Sequence, residues 1–152
     1  MVSPELLRRF SFFGGLTMEH IVAMATAAQE LTVEAGAFFF HEEDLLNHCF
    51  LLLEGDAVIV IEILEKDREA VVNDIAVGEL FGLSALVPPY YATASARAQG
   101  SCRVVAFDCA SLRQQCQDDA VFGSIIHLRV AQVLRDRLRD LRVESLASSF
   151  EG

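Results

Sequence analysis

The 152-residue chain lacks any apolar run long enough to cross a bilayer. The run that starts at Ala57 is broken by Glu62 and resumes only as Ile63-Leu64, whereas a membrane helix needs about 18 or more uninterrupted apolar residues. No long apolar core follows a basic start at the N-terminus, Met1-Val2-Ser3-Pro4-Glu5-Leu6-Leu7-Arg8-Arg9. No secretory leader is therefore expected, and the expected location is cytoplasmic. Basic residues are scarce: 12 Lys and Arg stand against 22 Asp and Glu, a formal net charge of −10. A protein that holds nucleic acid by its phosphates carries a basic face. The one basic cluster, Arg129, Arg135, Arg137, Arg139 and Arg142, is interrupted by Asp136 and Asp140 and reads as a solvated helix face. Neither duplex DNA nor a membrane is an expected partner.

Closely spaced cysteine pairs are also missing. Cys49, Cys102, Cys109 and Cys116 contain no C-x-x-C pair, the spacing that zinc sites favour. Cys49 and Cys102 sit in apolar stretches and read as core residues. Cys109 and Cys116 flank a short helical segment and are expected to be partly exposed. No nucleophile elbow, P-loop or H-E-x-x-H occurs, and no Ser-His-Asp set has a recognisable context. The expectation is no catalytic residue, no metal, no cofactor and no enzyme. His41 and His48, with Glu42, Glu43 and Asp44 between them, invite comparison with a cupin-type metal site. That site needs an H-x-H pair, a Glu and a second His, and the segment reads instead as a solvated acidic turn.

What is present is a large apolar fraction, 53% with a mean hydropathy of +0.36, enough for a full core in one domain. Ser3-Pro4-Glu5 opens a short helix to about Phe10, with Ser as cap and Pro in the first turn. Thr17 caps a second helix, Met18 to Ala28, whose apolar face is Ile21, Met24, Ala25 and Ala28. Strands then follow at Leu31–Val33, Ala37–His41, Cys49–Leu53, Ala57–Leu64, Ala70–Ile75, Thr93–Ala98 and Cys102–Phe107, separated by turn signals. Ala92, Ala94, Ala96 and Ala98 take the inward parity on one strand, and Cys102, Val104 and Ala106 on the next. Ser111 caps a short segment to about Gln117, and a long helix runs to about Ser148. Along it His127, Ala131, Leu134, Leu138, Leu141 and Ser145 form a heptad-like seam. The predicted class is α+β: an antiparallel β-roll or jelly-roll barrel of about eight strands, with flanking N-terminal helices and a long C-terminal helix.

Two stretches carry a family resemblance. Phe50-Leu51-Leu52-Leu53-Glu54-Gly55-Asp56-Ala57 resembles the strand, glycine turn and strand of cyclic nucleotide-binding domains. Val77-Gly78-Glu79-Leu80-Phe81-Gly82-Leu83-Ser84-Ala85-Leu86, followed by Pro88-Pro89-Tyr90-Tyr91-Ala92-Thr93-Ala94-Ser95-Ala96, resembles that family's phosphate-binding cassette. The cassette commonly reads G-[DE]-x-F-G-E-x-A-L and then R-x-A-T-V-x-A. The resemblance implies a single domain over residues 1–152, with helices at 1–28, a barrel at 29–108 containing the cassette at 78–96, and helices at 109–148. It also implies a ligand pocket at Phe81, Gly82, Leu83, Ser84, Ala85, Tyr90, Tyr91 and Ala92. Gly82 permits the bend, and Leu83–Leu86 form one turn whose free N–H groups face an anion. In the family, the turn's Glu bonds the ribose hydroxyl and the loop's Arg pairs with the phosphate. Here those positions hold Leu83 and Tyr90, or Tyr91 if the loop shifts by one residue. Arg97 and Arg103, candidate substitutes for the cation, read as exposed strand residues.

The expected function is a non-enzymatic regulatory or signalling domain that does not bind cyclic AMP or cyclic GMP in the usual way. It would act as a homodimeric interaction module through Ala131, Leu134, Leu138 and Leu141, with an unidentified protein partner. His127 reads as an interface histidine bonded to backbone or water, with a helix-side ligand contact as the other reading. One alternative is a small-ligand sensor with altered pocket specificity, including weak cyclic nucleotide binding. Another is a metal-dependent cupin-like enzyme. Few residues follow the long helix, so an attached helix-turn-helix is not expected.

Overall fold

The computed structural model describes residues 1–63, 65 and 67–151, the side chains of 144, 145 and 147–151 excepted. The strand end expected at Leu64 and the seam side chain expected at Ser145 lie outside the described residues.

The chain opens with α1 (Pro4–Arg8), a 3-10 turn (Ser11–Phe13) and α2 (Met18–Thr26). Ser3 sits at the cap of α1 with extended backbone, but its hydroxyl makes no capping bond. Thr17 does cap α2: its Oγ1 accepts from the His20 N–H at 3.2 Å. Ile21, Met24 and Ala25 are buried, as the 3.6-residue period requires. Ala28 is buried too, but it starts β1 (Ala28–Val33) instead of ending the helix, because it pairs with Phe107.

The strands that follow are β2 (Phe38–Phe40), β3 (His48–Glu54), β4 (Ala57–Ile63), β5 (Arg68–Ile75), β6 (Leu80–Phe81), β7 (Ser95–Ala98) and β8 (Cys102–Asp108). They form two four-stranded antiparallel sheets, in the orders β1-β8-β3-β6 and β2-β7-β4-β5. The strand count matches the expected roll, although the hydrogen-bond ladders do not close into one ring. Residues of both sheets share a single apolar core, Leu51 and Val104 from one and Ala57 and Ala96 from the other. The expected inward residues of β8 are buried, but so are Val105 and Phe107. The Phe13 ring lies 6.0 Å from that of Phe107, so the N-terminal 3-10 turn covers the face that alternation assigns to solvent.

Two helices close the chain, α3 (Cys109–Asp118) and α4 (Ala120–Glu151). The cap of α3 is Asp108, not Ser111: its Oδ1 accepts from the N–H groups of Ala110 and Ser111. Cys109, expected at least partly exposed, is buried; all four cysteines are free thiols. Among the described residues no helix is long and apolar enough to cross a membrane.

Asp119 joins three elements. Its Oδ1 accepts from the N–H groups of Val121 and Phe122 at 3.1 Å, capping α4, and His20 Nε2 on α2 stands 2.8 Å from its Oδ2. These contacts, the Phe122 N–H first and His20 second, hold the carboxyl below its ordinary value of 3.8. A carboxyl lowered on folding adds stability above its unfolded value and loses it as pH falls through the folded one. Asp119→Ala is therefore expected to melt at a lower temperature than the wild type near neutral pH. The gap should close as the pH drops below the ordinary carboxylate range. A melting-temperature gap that stays constant down to about pH 2 contradicts this role.

Candidate functional site

The cassette hangs on β6. Phe81 and Leu80 pair with Phe50 and Leu51 of β3, which fixes where the chain leaves the sheet. Gly82 then adopts φ +75°, and a Cβ there would stand 3.1 Å from the Phe40 ring. Glycine is thus required both by the left-handed backbone and by close approach. The bend leads into the 3-10 turn Leu83–Leu86, where Leu83, Ala85 and Leu86 are buried. A loop follows, and then β7 returns along the opposite sheet.

Beneath the bend lies a cavity of about 330 Å³ between the cassette, the β4–β5 hairpin and α4. Of the expected pocket residues, Gly82, Ser84 and Ala92 line it. Phe81, Leu83 and Ala85 are buried but do not line it, and Leu83 is only 2% exposed. Tyr90 and Tyr91 do not line it either. Tyr90 lies beneath Arg113 of α3, whose Cζ is 3.7 Å from the ring centroid, a cation–π stack. The same guanidinium donates from Nε to the Ala85 carbonyl at 2.8 Å and from Nη2 to the Leu46 carbonyl at 2.7 Å. Arg113 thus ties the turn and the loop together from outside the cavity. Tyr91 is exposed, with Leu45 as its bridge partner.

The candidate substitutes are engaged elsewhere. Arg97 pairs with Glu69 at 2.5 Å, and Arg103 forks to Glu30 and Glu54. His127 is exposed, and its Nδ1–H donates to the Gly123 carbonyl one turn back at 2.7 Å, away from the cavity. The seam residues Leu134, Leu138 and Leu141 line the cavity on its α4 side, whereas Ala131 does not.

Arg137 is the residue that the sequence reading missed. It lines the cavity, donates from Nη2 to the Leu80 carbonyl, and has Nη2 3.8 Å from Glu79 Oε2. Burial pushes its pKa down, against the pull of Glu79. A signal existed: Phe122, Ile126 and Val130 form the buried stripe of α4, the partly buried Val133 extends it, and Arg137 continues it at helical spacing. A cation on an apolar stripe marks either a buried pair or a site. The hairpin residues Ile59, Ile61, Val72 and Asn73 were also missed, because strand alternation does not say which pocket an inward face meets.

Among the described residues no three His, Cys, Asp or Glu side chains gather to hold a metal. His41 instead places Nδ1 3.0 Å from Glu62 Oε2, which also accepts from Ser95 Oγ at 2.8 Å. These bonds lower the Glu62 carboxyl, with His41 the larger cause. Ser95 donates to the carboxylate and not to the histidine.

The family model described as "Cyclic nucleotide-binding domain" matches residues 30–119, more than half of the chain. A solved structure of a protein from Geobacter metallireducens GS-15, named for cyclic nucleotide binding, is 33% identical. It superposes with a TM-score of 0.83 over 91% of this chain and 99% of the other. The regulatory domain of Toxoplasma gondii PKA with cAMP is similar in fold, at 20% identity and a TM-score of 0.73, covering 87% of this chain and 48% of that one. The Thermus thermophilus catabolite activator protein is 24% identical, with a TM-score of 0.68 over 98% of this chain and 64% of its own. No curated protein sequence matches.

Proposed function

Because the chain belongs to the cyclic nucleotide-binding domain family, we propose that it is a cytoplasmic, non-enzymatic regulatory module that does not grip a cyclic nucleotide in the usual way and that pairs with a second copy through α4. One observation carries the first half. The cassette offers the cavity neither the carboxylate nor the cation of the family pattern, since Leu83 is packed into the core and Tyr90 is stacked under Arg113. Leucine cannot bond a ribose hydroxyl, and tyrosine carries no charge at neutral pH. Calorimetry with cyclic AMP and cyclic GMP tests this. A dissociation constant weaker than about 1 μM supports the reading, and a tighter one overturns it. The acidic balance further supports the absence of any grip on duplex DNA.

The second half rests on α4. Its buried stripe is satisfied by the rest of the domain, yet Leu134 and Leu138 remain 48% and 61% exposed along a neighbouring stripe. A helix apolar over two stripes has a second surface to bury, and a two-fold mate presents the same surface in return. Each leucine contributes roughly 1.5–3 kcal/mol before the entropy of association is subtracted. Leu138→Glu is therefore expected to shift a dimer to monomer with little change in melting, because the position is exposed. Light scattering on the wild type reads the outcome: a mass near the 16.7 kDa of one chain at micromolar concentration rejects the dimer.

A further inference from the structure

We infer that the cavity beneath the cassette takes a small monocarboxylate with an apolar body, whose carboxylate is held by Arg137 from α4. The inference rests on the reading that this cavity does not grip a cyclic nucleotide. Its starting point is an incompletely paired charge. The Arg137 side chain is only 16% exposed, and its one carboxylate partner among the described residues, Glu79, stands at 3.8 Å with Glu79 itself 43% exposed. A guanidinium has five N–H donors. Among the described residues only Nη2 has a partner, the Leu80 carbonyl and the distant Glu79. Its Nε and Nη1 are not sealed from solvent, and a largely buried cation with such free donors gains from an anion that supplies bidentate, charge-assisted bonds.

Arg137 also borders a second cavity, of about 510 Å³, between the N-terminal 3-10 turn and α4. That cavity contains Arg129 as well, but it carries the carboxylates of Glu79, Asp136 and Asp140, which outnumber the two cations. Among the described residues the cavity beneath the cassette has no acidic side chain in its lining, and Arg137 is its only charged one. An anion is therefore favoured on the cassette side of Arg137 and repelled on the other.

The walls define the rest of the ligand. Phe40, Ile59, Ile61, Val72, Leu134 and Leu138 are apolar, with only Ser84, Thr93 and Asn73 as neutral hydrogen-bonding groups among the described residues. The volume of about 330 Å³ lies at the low end of the roughly 300–1,000 Å³ typical of small-molecule sites. A sugar-phosphate body with several hydroxyls would lose its water against these walls without replacement bonds. An alkyl or aryl chain would not.

Octanoate serves as the probe, with octanol and cyclic AMP as controls, in calorimetry and thermal melting of the full chain. Octanoate at about ten times its dissociation constant is expected to raise the melting temperature by roughly 3–6 °C. Octanol, which lacks the charge, should bind at least about tenfold more weakly, and so should octanoate to Arg137→Gln. Arg137→Gln also removes the bond to Leu80, so a second variant, Ala94→Phe, fills the cavity and leaves Arg137 in place. It should melt cooperatively and lose octanoate binding. No heat and no shift up to about 1 mM octanoate overturns the inference. Equal binding of octanol, or undiminished binding in either variant, does the same. If octanoate and cyclic AMP both fail, this inference falls and the proposed function stands. Sub-micromolar cyclic AMP binding removes the proposed function and this inference with it.

Discussion

The double variant Leu83→Glu with Tyr90→Arg is expected to bind cyclic AMP about two to four decades more tightly than the wild type. Each restored charge-assisted bond contributes about 1.5–3 kcal/mol, and the two together account for that range. The scaffold that must present them is in place: Gly82 already bends at φ +75°, and Leu83 already sits at the head of the 3-10 turn. Two structural costs accompany the change. Position 83 is nearly sealed, so a glutamate there lacks a partner until ribose arrives, and the free variant should melt lower than the wild type. An arginine at position 90 would meet Arg113, whose guanidinium now lies 3.7 Å from the Tyr90 ring centroid, and like charges at that range repel. The repulsion disfavours the present stacked position of the side chain and favours turning toward the cavity. Cyclic AMP should accordingly raise the melting temperature of the double variant far more than that of the wild type. Equal affinity in the two proteins would show that the missing side chains are not what limits nucleotide binding.

Gly55→Ala is expected to cost about 2–5 kcal/mol. Gly55 turns β3 into β4 at φ +103°, and its missing Cβ would lie 2.8 Å from Cys102 Cα and against the Ser101 carbonyl. A side chain in left-handed backbone costs roughly 1–2 kcal/mol, and forcing a methyl into packed backbone a further 1–3. Both obstacles are main-chain atoms at the start of β8, the strand that lies between β1 and β3. They yield only if the sheet shifts. Thermal melting should show a drop on the order of 10 °C. A loss under about 1 kcal/mol would mean that the turn relaxes without disturbing β8.

Much of the architecture is legible along the chain. The Glu54-Gly55-Asp56 turn lies between two strands that form as expected, and Thr17 caps the helix it precedes. The exceptions share a cause. β6 is two residues long, too short for a period, and exists because Phe81 meets Phe50. Ala28 fits a helix face by spacing, yet its backbone is taken by Phe107 of β8, distant in sequence. Asp108 and not Ser111 caps α3, because β8 ends one residue before the helix and leaves Asp108 at the junction.

The amino-acid sequence by itself determined the class of fold, and it alone carries the proposed place of the cassette and the two positions, Leu83 and Tyr90, of its proposed departure from the family pattern. These depend on local properties: alternation, glycine where backbone must bend left-handed, and residue identity at fixed spacings. The tertiary structure decided what those residues face. Leu83 turns into the core and Tyr90 lies under Arg113, so neither residue lines the cavity. Leu134 and Leu138, spaced as a seam, also wall that cavity, and Arg137, part of a basic cluster by composition, is the one charged residue lining it among those described. Spacing along a helix fixes which residues share a stripe, but the side on which the helix docks sets which stripe meets the barrel. That docking depends on contacts between segments far apart in the chain, and no local pattern encodes them.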